Sequence, residues 1–375
     1  MNDLNNKVTV WWIDDDHADE SGTRESERNA MGNALVSQAG KDLDLIPIHP
    51  VDFEDYALNL PDKRPDLLLI DFRLGYKEKG DRKTPYFARD GVRLRGTTLG
   101  DNILKDVPAY LVSGVIQESQ NGTSDDQFDW VLSYQQLTDE LGGKFLLDDA
   151  RDYRRLQDIH DKTPKNIDTK EIQKHLVEGI LDLLQVPPDS IESVENIVRH
   201  TVANLLQSES KHDSNELQLS PSRPRAIARW IRAAMLNFRG PLIDERSAAN
   251  MLGANLIYFN KIKEFDIESA RYRGIFNRTA SMTLWKQTFL KILLSKDESI
   301  IFPSLKILAK SASDHFSIPE NELAVCRVCG EFWPEAIAFD EDDPAVDAAV
   351  HWRCSKEVTN VDSLFGFEIL RSFRK

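Results

Sequence analysis

Three consecutive acids, Asp14-Asp15-Asp16, close an apolar run at residues 7–13 (KVTVWWI). The run is β-branched and aromatic, so it reads as a buried strand that delivers the acids to its carboxyl end. A second buried run, residues 66–70 (DLLLI), ends at Asp71, and a third, residues 108–112 (PAYLV), ends at Ser113-Gly114. In an open α/β sheet, functional groups collect at the carboxyl ends of the strands. Asp14, Asp15 and Asp71 are therefore expected to converge. Three carboxylates at one point repel one another and favour a hard divalent cation such as Mg²⁺. Such an ion would also neutralise a phosphoryl group carried by Asp71.

A second constellation lies near the other end of the chain. Cys326-x-x-Cys329 is followed by His351-x-x-Cys354, and these are all three cysteines of the sequence. Each pair puts two ligands on one tight turn, and Gly330 suits the backbone of such a knuckle. Four thiolate or imidazole ligands match tetrahedral Zn²⁺ in a closed, structural Cys₃His site, and the metal would supply most of the folding energy of so small a unit. The acids of 340–343 between the half-sites read as a solvated loop.

The elements that must position the first cluster alternate. Helical patterns at 24–40, stopped by Gly40, and at 53–60 flank a strand at 43–48 (LDLIPI). Residues 76–89 are charged and aperiodic and read as a mobile loop, 97–106 as a helix, and 129–132 (DWVL) as a fifth strand. Strands and helices alternating in this way predict a doubly wound, mostly parallel sheet. From about 135 the pattern becomes helical. Asp168 is placed to cap a helix striped by Ile172, Leu176, Ile180 and Leu183. Asp189 or Ser190 is placed to cap another, striped by Ile191, Val194, Val198, Val202 and Leu205. Residues 207–224 are polar and proline-punctuated, a linker. Residues 225–295 are helical again, interrupted at Gly240-Pro241.

Residues 7–160 resemble the receiver domain of two-component response regulators, on the segments VWWIDDD, PDLLLIDFRLG, PAYLVSG and FDWVLSY. The resemblance implies a flavodoxin-like, five-stranded parallel sheet. It assigns Mg²⁺ binding to Asp14, Asp15 and Asp71, phosphate acceptance to Asp71, phosphate sensing to Ser113, and a rotamer switch to Trp130. The family closes its fifth strand with Lys-Pro, and Ser133-Tyr134 stand there instead. Lys144 is near in sequence but precedes an apolar run. Losing that lysine removes a charge-assisted contact of about 1.5–3 kcal/mol. Two readings compete: phosphorylation of Asp71 by a partner kinase, or a pseudo-receiver kept as a protein-binding platform, which the missing lysine favours.

Residues 220–298 carry fourteen Lys or Arg against seven Asp or Glu, in a chain of net charge −15. This basic segment is either an electrostatic footprint for an acidic partner or a solvated helical surface. Within it, residues 243–262 resemble a helix-turn-helix. Ala249 is the small residue of the first helix, Gly253 the turn, and Phe259 and Ile262 bury the second helix. Asn255 and Asn260 are candidate base readers, and Arg271 and Arg273 candidate phosphate contacts. An acidic net charge argues against general nucleic-acid coating.

The 375 residues, 41% apolar and 29% charged, suit a multi-domain globular chain. The expected order is a receiver-like domain (1–160), a helical hairpin (161–206), a linker (207–224), a basic helical domain (225–310) and a zinc-binding module (311–375). No stretch approaches the roughly 20 apolar residues of a membrane span. The polar opening MNDLNNK is unlike a signal peptide, so a cytoplasmic location is expected. No Gly-rich phosphate loop, nucleophile elbow or His-Glu protease motif is present. The expected function is a non-enzymatic signalling adaptor that docks a protein partner such as a histidine kinase or ATPase. The alternative is a DNA-binding response regulator controlled at Asp71 and using 225–295.

Overall fold

The computed structural model describes residues 7–18, 23–53, 64–74, 78–79, 82–83, 94, 104, 106–113, 128–164, 168–209, 223–237, 240–252, 256–259, 267–280, 283–294, 336–338 and 349–351. The chain divides into two compact units. One comprises Met1–Leu183 and Arg199–Trp230, the other Leu184–Val198 and Ile231–Lys375.

The first unit is built on a five-stranded, all-parallel sheet of flavodoxin-like type. In chain order its strands are β1 (Val8–Ile13), β2 (Leu43–Ile48), β3 (Leu67–Asp71), β6 (Ala109–Ser113) and β7 (Trp130–Ser133), in the spatial order β2-β1-β3-β6-β7. The central strands are covered on both faces, which is why they read as unbroken apolar runs. Val8, Val10, Ile13 and Leu67 through Ile70 are wholly buried. Pro47, which has no N–H to give a ladder, sits on edge strand β2. One face packs Trp11, Ile13, Leu68, Ile70 and Leu111 with Ile48, Phe53 and Phe128.

Helix α1 (Thr23–Ala39) follows β1, and α2 (Gly142–Lys162) follows β7 through a π-helical turn at Gln136–Leu141. α1 and α2 touch through backbone. A Cβ on Gly143 would lie 1.7 Å from the carbonyl oxygen of Leu35, and the Gly143 N–H donates to Gln38 Oε1 at 2.8 Å. Only glycine permits that approach.

The amino edge of the sheet also carries aspartates. Asp66, just before β3, accepts the Thr9 N–H at 2.8 Å and lies 2.5 Å from Arg154 Nε. Asp129, just before β7, accepts the Ala109 N–H at 2.8 Å. Its carboxylate also meets Arg225 Nε at 2.7 Å and Arg229 Nε at 2.8 Å. Both arginines are on α5 (Arg223–Trp230).

The charged stretch read as an aperiodic loop contains two short strands. β4 (Glu78–Lys79) and β5 (Arg82–Lys83) pair antiparallel. The helices expected beyond the sheet are α3 (Thr169–Leu184) and α4 (Ile191–Glu209). On α4 the buried stripe is Val194, Val198, Val202 and Leu206, while Ile191 is 41% exposed. The predicted stripe thus holds in its middle and drifts at both ends. Asp168 Oδ1 accepts the Lys170 N–H at 3.4 Å as α3 begins.

In the second unit, β8 (Leu242–Ile243) pairs antiparallel with β9 (Leu284–Trp285). The helix-turn-helix segment contains α6 (Glu245–Leu252) and α7 (Leu256–Phe259), with Ala249 and Phe259 buried. Phe259 meets Phe289 of α8 (Lys286–Leu294) edge to face, with centroids 6.2 Å apart. Near the end of the chain β10 (Ala336–Ala338) and β11 (Ala349–His351) form an antiparallel ladder with Ala336 opposite His351. Cys326, Cys329, Cys354, Gly253, Asn255, Asn260 and Ile262 lie outside the described residues, as do most of 53–60 and 97–106. No helix among the described residues is long and apolar enough to cross a membrane.

Candidate functional site

Parallel pairing brings the ends of β1, β3 and β6 to one edge of the sheet. Asp14 follows the last residue of β1, Asp71 is the last residue of β3, and Ser113 is the last of β6. Asp15 opens the 3₁₀ turn Asp15–Ala18 that leads away from β1. Asp14, Asp15 and Asp71 come together as expected. Each offers a carboxylate oxygen lying within 4.8 Å of the others, and all three residues are buried. Ser113 is buried at the same edge and stands in register with Ser133 of β7.

A helix brings a cation to this pocket. Arg28, on α1, places Nε 2.9 Å from Asp14 Oδ2 and Nη2 3.4 Å from Asp16 Oδ2. Its guanidinium lies over the ring of Tyr134, 3.9 Å from the centroid, a cation–π contact. The Tyr134 hydroxyl donates to Asp14 Oδ2 at 2.8 Å, and Asp14 Oδ1 accepts the Asp16 N–H at 2.9 Å. Tyr134 is thus the residue that reaches into the pocket from the end of β7.

Ser133 has a local task. Its hydroxyl accepts the Gln136 N–H at 2.9 Å, and Gln136 Oε1 accepts the Ser133 N–H at 3.0 Å. This reciprocal pair is a capping box, legible in the sequence as Ser133-x-x-Gln136. Trp130 packs edge-on against Phe145 at 5.6 Å and Tyr110 at 6.1 Å. Lys144 is exposed on the first turn of α2.

The electrostatics follow from burial and crowding. Burial raises the Asp71 pKa to about 7, assisted by the charge of Asp14 and opposed by the Tyr134 hydroxyl and Arg28. Burial also raises Asp14, against the pull of Arg28, the Asp16 N–H and Tyr134. Tyr134 is pushed well above the usual phenol value, by burial first and then by Asp14 and Asp71. Burial opposes the charge on Arg28, but the surrounding anions outweigh it and hold the guanidinium protonated.

Three buried carboxylates, each with an oxygen within 4.8 Å of the others, bring hard oxygen donors and negative charge together at one point. That donor set fits a hard divalent cation such as Mg²⁺. Asp14, Asp15 and Asp71 would hold it, and the ion would supply neutralisation of their mutual repulsion.

The basic segment behaves differently. Arg271 places Nε 2.7 Å from Glu268 Oε1 and Nη1 3.0 Å from Glu245 Oε1, and Arg273 lies 3.1 Å from Glu268 Oε2. Sequence reasoning missed Arg28 and the inward role of Tyr134. One geometric signal was available for Arg28. The helix after β1 must start at the carboxyl edge, so cations in its first two turns are within reach of Asp14.

No protein-family model matches the chain, and no curated protein is significantly similar to it.

Proposed function

We propose that this chain is a non-enzymatic regulatory adaptor. Its receiver-like domain serves as a partner-binding platform responsive to divalent cations, and Asp71 is not a working phosphate acceptor. The observation that carries this reading is the occupation of Asp14. A tyrosine hydroxyl and an arginine from α1 are both engaged with its carboxylate, where the receiver family uses a lysine at the end of the fifth strand. A phosphoryl group on Asp71 would meet a cation already committed to Asp14 and Asp16. The partner envisaged is a protein, such as a histidine kinase or ATPase.

Incubating the full chain with acetyl phosphate and Mg²⁺ tests this. Intact-mass measurement should show no stable gain of a phosphoryl group. A gain that disappears in Asp71→Asn overturns the reading in favour of a phosphorylated response regulator.

The DNA-binding alternative draws on the basic segment, but the pairing of Arg271 and Arg273 with Glu268 weighs against their use as phosphate contacts. A salt-dependent shift of duplex DNA lost on neutralising both arginines would restore it.

The proposal extends to a structural Zn²⁺ held by Cys326, Cys329, His351 and Cys354. The equal spacing of the two half-sites supports it, as does the place of His351 on a two-stranded ladder. Metal analysis should return about one zinc per chain.

A further inference from the structure

The divalent-cation pocket has a feature the receiver resemblance does not supply. Asp14 is wholly buried, and both of its oxygens are engaged by protein donors. Oδ1 accepts the Asp16 N–H, while Oδ2 takes the Tyr134 hydroxyl at 2.8 Å and faces Arg28 Nε at 2.9 Å. Oδ2 thus carries one hydrogen bond, from Tyr134, and one ion pair, with Arg28. Arg28 is itself only 18% exposed. It is held from three directions: by Asp14, by Asp16, and by the face of Tyr134.

A metal ion entering among Asp14, Asp15 and Asp71 would share Asp14 with this guanidinium. Whichever oxygen the ion took, its two positive charges and that of Arg28 would bear on one buried carboxylate. Like charges this close in a low-dielectric pocket are strongly unfavourable. Their mutual repulsion weakens the hold of each on Asp14.

Resting on the reading of this pocket as a divalent-cation site, we infer that Arg28 is a built-in counter-cation that competes with the metal ion for Asp14. Metal entry moves Arg28 off Asp14 and off the Tyr134 ring, and metal loss returns it.

The places where such a movement is felt are already joined to the pocket. Arg28 belongs to the front half of α1. The rear half is fixed by the backbone contact of Leu35 with Gly143 and by Gln38. Tyr134 stands between Ser133, the cap, and the π-helical turn that leads into α2. Exchange of arginine for metal therefore bears on the front of α1 and the root of α2. These are surfaces of the receiver-like domain that a partner can read.

The test is Mg²⁺ titration of the full chain by calorimetry, in wild type and in Arg28→Gln, Arg28→Lys and Asp71→Asn. Removing a unit charge from beside a buried ion should tighten Mg²⁺ binding at least tenfold in Arg28→Gln. Arg28→Lys should stay near wild type, because the competing charge is kept. Equal affinity in wild type and Arg28→Gln overturns the competition while leaving the metal pocket standing. Absence of Mg²⁺ binding in both, or an affinity indifferent to Asp71→Asn, removes the pocket itself.

A second measurement is made on wild type, with Arg28→Lys used only for assignment, and follows the Arg28 Nε–H resonance. It should shift along the same Mg²⁺ isotherm as the calorimetric signal. A resonance that stays in place while Mg²⁺ binds overturns the inference.

Discussion

At the amino edge of the sheet, the buried side chain of Asp129 meets two arginines and a backbone N–H. At the carboxyl edge, buried Asp71 meets another carboxylate. The two residues have the same chemistry and belong to the same sheet, yet one is neutralised and the other crowded. Asp129 receives Arg225, Arg229 and the Ala109 N–H, enough donors for both of its oxygens. Asp71 shares the donors of Asp14, and its pKa is raised to about 7 by burial and by that neighbour. A satisfied buried carboxylate holds the fold together. A crowded one stores unfavourable charge that a cation can relieve. The position of an aspartate along its strand thus distinguishes scaffold from site in this chain.

The largest effect should come from breaking the satisfied end. Asp129→Ala removes the carboxylate shared by buried Arg225, by Arg229 and by an amide N–H. The loss expected is about 3–5 kcal/mol, read from the urea midpoint. A loss below about 1 kcal/mol would erase the contrast between the two edges.

The crowded end should respond with the opposite sign. Asp71→Asn removes a charge that folding makes harder to keep. A gain on the order of 2 kcal/mol at mildly alkaline pH is expected, with loss of Mg²⁺ binding in the same variant.

The pH dependence sharpens this. A carboxyl raised from 3.8 to about 7 binds more protons folded than unfolded. Its contribution is therefore full below the unfolded value and is lost as pH rises toward the folded one. Wild-type stability should fall across that window, and Asp14, raised for the same reason, adds to the slope. Thermal melts of the D71N variant should show a shallower slope. Mg²⁺ affinity should rise with pH over the same range, because the ion needs the ionised form.

The smallest effect concerns Ser133. Ser133→Ala should cost about 1 kcal/mol, as loss of a helix cap does, and leave Mg²⁺ affinity unchanged. A changed affinity would move Ser133 from the scaffold into the site.

The sheet was legible because its inner strands are buried on both faces. Residues 7–13, 43–48, 66–70, 108–112 and 129–132 each fall within a residue or so of an observed strand. The acid cluster was legible for a related reason. Strand ends are sharp in sequence when an apolar run stops at a charge, as at Asp14 and Asp71. Arg28 was not legible as a site residue, because α1 is mostly polar and nothing periodic separates Arg28 from Arg24. The β4–β5 pair was missed because its side chains are charged without alternation, leaving only the Gly80-Asp81 step between the strands as a turn signal. The capping role of Ser133 was visible as Ser-x-x-Gln but was overshadowed by the expectation of a lysine.

The contact of Gly143 with the Leu35 carbonyl has one more implication. Where two helices meet through side chains, they can slide as rotamers give way; where backbone meets backbone, nothing yields. The 1.7 Å left for a Cβ at Gly143 makes that point a fulcrum. A tilt of α1 that carried Arg28 off Asp14 would have to turn about this point, where the rear of the helix is held against α2. A methyl group there would prise the helices apart and lift the far arm of the lever, the arm that bears Arg28.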